Sequence, residues 1–195
     1  MFKRIPVLLF LLTSIIANAQ FQKATILFKN NTSKEGFLKV RSHDGIKFKE
    51  KEGDKPVVYN HLQVVGFNID EAKYRYVKSN TADNEPRILR EMVYGTIILY
   101  AIETQGGETY MTFGPGSNLP PGILVNQKPS ISYYMLKNEK LIKIGKKIRN
   151  RHLKKLKDCP VLVAKIKSEE IHRTNIITAI DFYNQNCGAI AVKEK

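Results

Sequence analysis

The chain has 195 residues, of which 43% are hydrophobic and 26% charged, with 12 Gly, 8 Pro and 2 Cys. This composition excludes a disordered, collagen-like or disulfide-dense protein, and the length predicts a single folded domain. The net charge of +14 at pH 7 favours anionic partners such as lipid head groups, polysaccharides or nucleic acid, although such a charge also serves solubility.

The first 19 residues have the pattern of a secretory signal peptide. Lys3 and Arg4 precede a mostly apolar run from Ile5 to Ile16. Ala17-Asn18-Ala19 then supplies the small residues that signal peptidase requires. The apolar run is shorter than the ~20 residues of a membrane-spanning helix. We therefore expect export to the periplasm, the outer envelope or the medium, with no transmembrane segment in the mature chain.

Residues 20–146 have the two-residue period of half-buried strands, as where Ile46 and Phe48 alternate with lysines. Short turn sequences separate these segments, which favours antiparallel pairing. The predicted strands are 22–29, 36–42, 45–50, 56–60, 62–69, 73–78, 88–94, 96–103, 108–113, 131–137 and 140–145. We expect an α+β fold in which an antiparallel β-meander or small barrel-like sheet is followed by a helical cap at 147–195, together one domain.

Three helices are predicted in the cap. Asn150 can cap the first, which ends near Asp158, and Pro160 starts the second. Glu169 is expected to open the third, with its acids in the first turn, and this helix ends near Asn186. Its apolar residues fall close to one face that would cover the sheet, namely Ile171, Ile176, Ile180, Tyr183 and Cys187, with Ile177 beside them.

The two cysteines, Cys159 and Cys187, are predicted to form a disulfide, because an exported protein matures where thiols oxidise. A reactive thiol or a metal ligand is the weaker interpretation. A zinc site needs three or four ligands, and His152 and His172 are the only imidazoles nearby in the sequence. We expect neither a metal nor another cofactor.

The strongest charge feature is residues 140–157, which contain nine basic residues and no acid. Together with inward-facing apolar residues, these charges could form a patch that attracts anionic lipid or glycan. The alternative is a solvated face of lysines that cover apolar surface without any partner. The candidate anion-binding residues are Lys143, Lys146, Lys147, Arg149, Arg151, Lys154 and Lys155.

Two other segments have a binding and a structural interpretation. Residues 114–129 are rich in Gly and Pro, which predicts an irregular segment that is either a binding loop or a surface excursion. Tyr74 and Tyr76 alternate with cations, but their shared face indicates packing rather than stacking on nucleic-acid bases. No sequence motif of a hydrolase, metalloenzyme or nucleotide-binding loop occurs, and the four histidines are scattered.

The C-terminal part carries a resemblance. Asp158-Cys159-Pro160 and the Tyr-Asn-x-x-Cys sequence that ends at Cys187 resemble the end of a group of uncharacterised secreted proteins of bacteroidete type. Upstream pieces are similar too, namely Val64-Val65-Gly66-Phe67, Ile98-Leu99-Tyr100 and the hairpin from Tyr133 to Gly145. The resemblance covers nearly the whole mature chain and implies an envelope location and this architecture, but no activity.

These observations lead to an expected function: an exported, non-catalytic binding or scaffold module of the cell envelope. One alternative is peripheral binding to anionic lipid or lipopolysaccharide through residues 140–157, and another is a hydrolase with an unrecognised site. The expected partner is an envelope protein or an anionic lipid or glycan. Nucleic acid is disfavoured, because an exported chain rarely meets it.

Overall fold

The computed structural model describes residues 21–41, 45–78, 86–104, 108–110, 124–126 and 130–188. The signal peptide predicted at 1–19 lies outside these residues, as does most of the segment 114–129. The chain divides into two compact units. The first runs to Tyr76 and includes Pro86–Ile88, and the second comprises the remainder. Strands that cross this boundary are assigned to the unit that holds most of their residues.

The first unit is built on six antiparallel strands. They are β1 Gln22–Phe28, β2 Ser33–Val40, β3 Ile46–Lys49, β4 Val57–Tyr59, β5 Val64–Ile69 and β6 Ala72–Lys78. Their order is β6-β5-β1-β2-β3-β4, so that β4 ends the row and the sheet is open. The predicted alternation is confirmed in β3, where Ile46 and Phe48 are buried and Lys47 is exposed.

Aromatic side chains pack together in the hydrophobic core of the first unit. The rings of Phe67 and Tyr74 pair across β5 and β6 and stack with their centroids 4.9 Å apart. Tyr76 belongs to the same cluster, which surrounds Ile26 and Leu38. Tyr74 and Tyr76 are thus packing residues, as their spacing indicates.

The second unit contains four further antiparallel strands and a separate strand pair. The four are β7 Pro86–Val93, β8 Ile98–Thr104, β11 Ser130–Lys137 and β12 Lys140–Gly145, in the order β12-β11-β8-β7. The pair consists of β9 Glu108–Tyr110 and β10 Leu124–Asn126. The prediction that residues 114–129 lack regular structure is wrong for β10. Its Leu-Val-Asn sequence follows the last glycine of that segment, so no helix or strand breaker interrupts it.

Three helices follow β12. They are α1 Asn150–Leu153, which continues as a 3-10 turn over Lys154–Leu156, α2 Pro160–Lys167 and α3 Ile176–Asn186. Pro160 occupies the first helical position of α2, as predicted. The prediction that α3 begins at Glu169 is wrong, because Glu169 has a φ of 63° and residues 168–175 form turns. A left-handed residue ends the preceding helix and cannot open the next.

The helices bury their apolar faces against the strands of the same unit. Ile176, Ile180 and Tyr183 of α3 share one cluster with Leu99 of β8 and Met135 of β11. Ile177 is instead 40% exposed, so it does not contribute to that face. The fold is therefore α+β, an open antiparallel sheet with C-terminal helices. Among the described residues, no helix is long and apolar enough to cross a membrane.

Candidate functional site

The disulfide between Cys159 and Cys187 is present, as predicted. It joins the residue before α2 to the residue after α3, and the two Cα atoms are 5.7 Å apart. The bridge spans 28 residues of sequence and links the start of α2 to the end of α3.

Asp158, next to this disulfide, is the centre of a polar cluster. Lys137 Nζ donates to both carboxylate oxygens at 2.6 Å and to the Lys155 carbonyl at 2.8 Å. The Tyr183 hydroxyl donates to Asp158 Oδ2 at 2.6 Å, and Lys137 Nζ lies 4.8 Å from the centre of the Tyr183 ring. The end of β11 is thereby tied to α3 and to the residue before Cys159.

The contacts in this cluster change the pKa values of Asp158 and Tyr183. Burial acts to raise the pKa of Asp158, but the hydrogen bonds from Lys137 and Tyr183 outweigh it, so the pKa is lowered. Burial, together with the hydrogen bond to Asp158, raises the pKa of the Tyr183 hydroxyl. At neutral pH Asp158 is therefore a carboxylate and Tyr183 a neutral phenol.

Asn184 forms a second link between α3 and the sheet strands. Its side-chain oxygen accepts from the Ile97 backbone N–H and its amide donates to the Ile97 carbonyl, both at 2.9 Å. Thr96 Oγ1 donates to the Gly188 carbonyl at 3.0 Å. The residues that carry the resemblance, from Asp158 to Cys187, therefore position the helices.

The cations of residues 140–157 lie on the surface. All nine side chains are exposed, and none forms an ion pair with any carboxylate that the structure describes. Lys140 and Lys143 lie on β12, the last strand in its row, where lysines also discourage pairing with another chain. The segment is thus a concentration of exposed positive charge with no acid within residues 140–157.

His152 is the buried histidine of this segment and is only 2% exposed. The Arg149 backbone N–H and the Arg151 Nε–H both approach its imidazole, 3.0 Å from Nδ1 and Nε2 respectively. Burial and then the charges of Arg151 and Arg149 lower the pKa of this ring. His152 is therefore a neutral core residue that supports the basic surface.

A groove lies beside α1 and α2, within the second unit. It consists of two adjoining pockets of about 470 and 290 Å³, which share Leu153, Val163 and Lys167. We call it the cationic groove. The other residues that line it are Asn150, Lys154, Lys157, Pro160, Ala164 and Arg173.

The lining of the cationic groove combines an apolar floor with positive charge. Four of the lining residues are cationic, and the described lining includes no acid. The Arg173 guanidinium is held in place, since its Nη1 donates to Asn150 Oδ1 at 2.9 Å. The Ile148 N–H also donates to the Arg173 carbonyl at 2.8 Å. An anion that enters this groove would meet fixed and mobile cations without a repelling carboxylate.

The structure brings only one of the seven candidate anion-binding residues, Lys154, into the cationic groove. The remaining six are exposed elsewhere on the segment, namely Lys143, Lys146, Lys147, Arg149, Arg151 and Lys155. Lys157 lies in the basic run and also lines the groove, but it was not among the seven candidates. Lys167 and Arg173 were missed because both lie beyond the basic run, Lys167 at the end of α2 and Arg173 in the segment that follows it. The sequence does contain one signal for the turn in which Arg173 lies. The five-residue step from Ile171 to Ile176 interrupts helical periodicity there.

A second depression, of about 360 Å³, lies in the first unit. Lys23 lines it with three acids, Glu35, Glu50 and Asp70, and Glu50 already pairs with Lys34 at 2.5 Å. The described residues contain no group of three or more His, Cys, Asp or Glu side chains that could hold a metal ion. The cationic groove is thus the more distinctive site.

In comparisons with known proteins, no family model, curated protein or solved structure matches the chain.

Proposed function

We propose that this protein is an exported binding module of the cell envelope that attaches to an anionic surface through the basic residues of segment 140–157. The partner is an anionic lipid or lipopolysaccharide layer, and no chemical step is involved. The observation that carries the proposal is the exposure of all nine cations in residues 140–157 without a described ion pair.

Charge density of this kind suits attachment to a surface better than recognition of one small anion. A lysine or arginine near an anionic membrane contributes about 1 kcal/mol, so several together give stable binding that salt weakens. The buried side of the same segment, with Ile148, Leu153 and Leu156, anchors the cations to the folded unit. The cations are therefore presented on a rigid base.

The test is co-sedimentation of the oxidised protein with phosphatidylcholine vesicles that contain or lack phosphatidylglycerol, at low and high salt. We expect binding only to the anionic vesicles, and loss of binding at high salt. Charge reversal of Lys146, Lys147, Arg151 and Lys154 to Glu should weaken binding by on the order of a hundredfold or more.

A matched control reverses four exposed lysines of the first unit, Lys29, Lys47, Lys55 and Lys73, to Glu. This variant has the same net charge as the test variant and should keep most of the vesicle binding. Equal losses in the two variants would mean that total charge, and not segment 140–157, attracts the protein to the surface. Binding to neutral vesicles at high salt would contradict the electrostatic basis of the proposal.

A further inference from the structure

We propose that the cationic groove is a binding site for a phosphate-bearing lipid, with the phosphate against Arg173, Lys154 and Lys167 and one acyl chain along the apolar floor. This inference rests on the proposed function, because it names the component of an anionic surface that the helical part would select. It assigns a defined binding site to a surface that otherwise attracts ligands by charge alone.

The cations of the groove suit a phosphate group. Arg173 is oriented before any ligand arrives, through its hydrogen bond to Asn150 at 2.9 Å. A guanidinium presents paired N–H donors that match two phosphate oxygens, whereas lysines act as mobile point charges. Lys154 and Lys167 reach the pocket from two different elements, the turn after α1 and the end of α2. Both can contribute positive charge to a phosphate bound beside Arg173.

The floor of the groove suits a hydrocarbon chain. Leu153, Val163, Ala164 and Pro160 form its apolar lining. The two pockets, about 470 and 290 Å³, fall in or near the roughly 300–1,000 Å³ range of sites for small ligands. Inorganic phosphate would not cover the apolar floor, which would stay exposed to water. An uncharged hydrocarbon ligand would cover the floor but would not neutralise the cations. An anionic amphiphile satisfies both parts of the lining.

The ligand class is tested by calorimetry with soluble alkyl phosphates below their micelle concentrations. We expect decyl phosphate to bind more tightly than hexyl phosphate, by about threefold to fourfold for each methylene that is buried. Inorganic phosphate and the uncharged decyl maltoside should both bind far more weakly. Equal affinity for decyl phosphate and inorganic phosphate would overturn the role of the floor, and equal affinity for decyl maltoside would overturn the role of the cations.

The location is tested by filling the groove. Ala164→Phe places a large side chain in the groove at an exposed position of α2, and it should weaken decyl phosphate binding at least about tenfold. Val161→Phe is the matched control, since Val161 lies on the same helix, is 57% exposed and does not line the groove. Equal effects of the two variants would overturn the assignment of the site.

The two proposals fail in distinguishable ways. If anionic vesicles bind the wild-type protein but decyl phosphate does not bind in solution, the groove inference is wrong and surface attachment stands. The opposite result is that decyl phosphate binds and Ala164→Phe weakens this binding, but the wild-type protein does not bind anionic vesicles. The groove site is then supported, and the proposed attachment to a surface is wrong. Failure of both probes overturns both proposals.

Discussion

The two units of the chain are stabilised in different ways. In the first unit, most strands pair with the next strand along the chain, and generic packing such as that of Phe67 on Tyr74 fills the core. The helices of the second unit depend on links between distant residues, as between Asn184 and Ile97 or Cys159 and Cys187. Alternating hydrophobicity specifies the first arrangement, whereas the second depends on the identity of a few side chains.

The largest effect that this comparison predicts comes from the disulfide. Replacing Cys159 and Cys187 by Ser should lower the free energy of unfolding of the second unit by about 3 to 4 kcal/mol, since a loop of 28 residues is no longer closed in the unfolded chain. Denaturant unfolding measures the loss, and amide hydrogen exchange locates it.

In that experiment α2 and α3 should lose protection against exchange, while β1 and β2 retain it. A reductant should have no effect on the serine variant. Equal loss of protection in both units would show that the first unit depends on the disulfide as much as the second, which contradicts the proposed difference in how the two units are stabilised.

Asn184→Ala is the next test, with an expected loss of about 2 kcal/mol. The substitution leaves the N–H and C=O of the buried residue Ile97 without their partner, and unpaired buried groups are costly. Asn186→Ala is the control, because its amide also donates to a backbone carbonyl but lies at an exposed position. The thermal unfolding midpoints of the two variants are compared, and equal midpoints would refute a specific role for Asn184.

Tyr183→Phe should cost about 1.5 kcal/mol at neutral pH, because the hydroxyl donates to an ionised Asp158 in a site where Tyr183 is only 2% exposed. Since the folded-state pKa of Asp158 is lowered, its contribution is complete above the ordinary Asp pKa of about 3.9 and is lost as the pH falls below that value.

Urea unfolding of wild-type and Tyr183→Phe proteins across this acid range measures the effect. The difference between them should shrink as Asp158 becomes protonated. Tyr94→Phe, at a position that is 76% exposed, should behave like the wild type throughout. A difference that is constant with pH would exclude the carboxylate as the reason for the loss.

The smallest predicted effect on stability is the pH dependence that His152 contributes to the free energy of unfolding. Because the folded-state pKa of this ring is lowered, its contribution is complete above the unfolded value of about 6.5 and is lost as the pH falls below that value and through the lower folded-state pKa. The slope should not exceed about 1.4 kcal/mol per pH unit. Stability measured from slightly alkaline to slightly acid pH should fall in the wild type and in the exposed-site variant His172→Gln, but less in His152→Gln. Parallel profiles in all three proteins would contradict this assignment.

The sequence predicted the strands well and the candidate site poorly. Every predicted strand has an observed counterpart, because the two-residue period of segments such as β3 reflects burial on one face. The third helix was placed seven residues too early, since the acids at 169–170 mimic a helix start. The structure instead pairs Glu170 with Lys165 across the turn.

For the candidate site, too, the sequence predicted only part of what the structure shows. A run of cations in the sequence marks the correct part of the chain, but it cannot indicate which cations share a groove. Lys154 lies in the run, while Lys167 and Arg173 join it only because α2 ends in a turn that returns the chain toward α1. Side chains that are distant in sequence converge through tertiary contacts, and no local pattern encodes that.

By itself, the sequence determined the antiparallel strands, the cysteine pair and the concentration of positive charge, because each depends on residue type and spacing within a short stretch. Only the tertiary structure decided where α3 begins, that Asp158, Lys137 and Tyr183 share one cluster, and that cations line an apolar groove. The physical reason is that burial and polar pairing act between segments, so their outcome depends on which faces meet when the second unit folds.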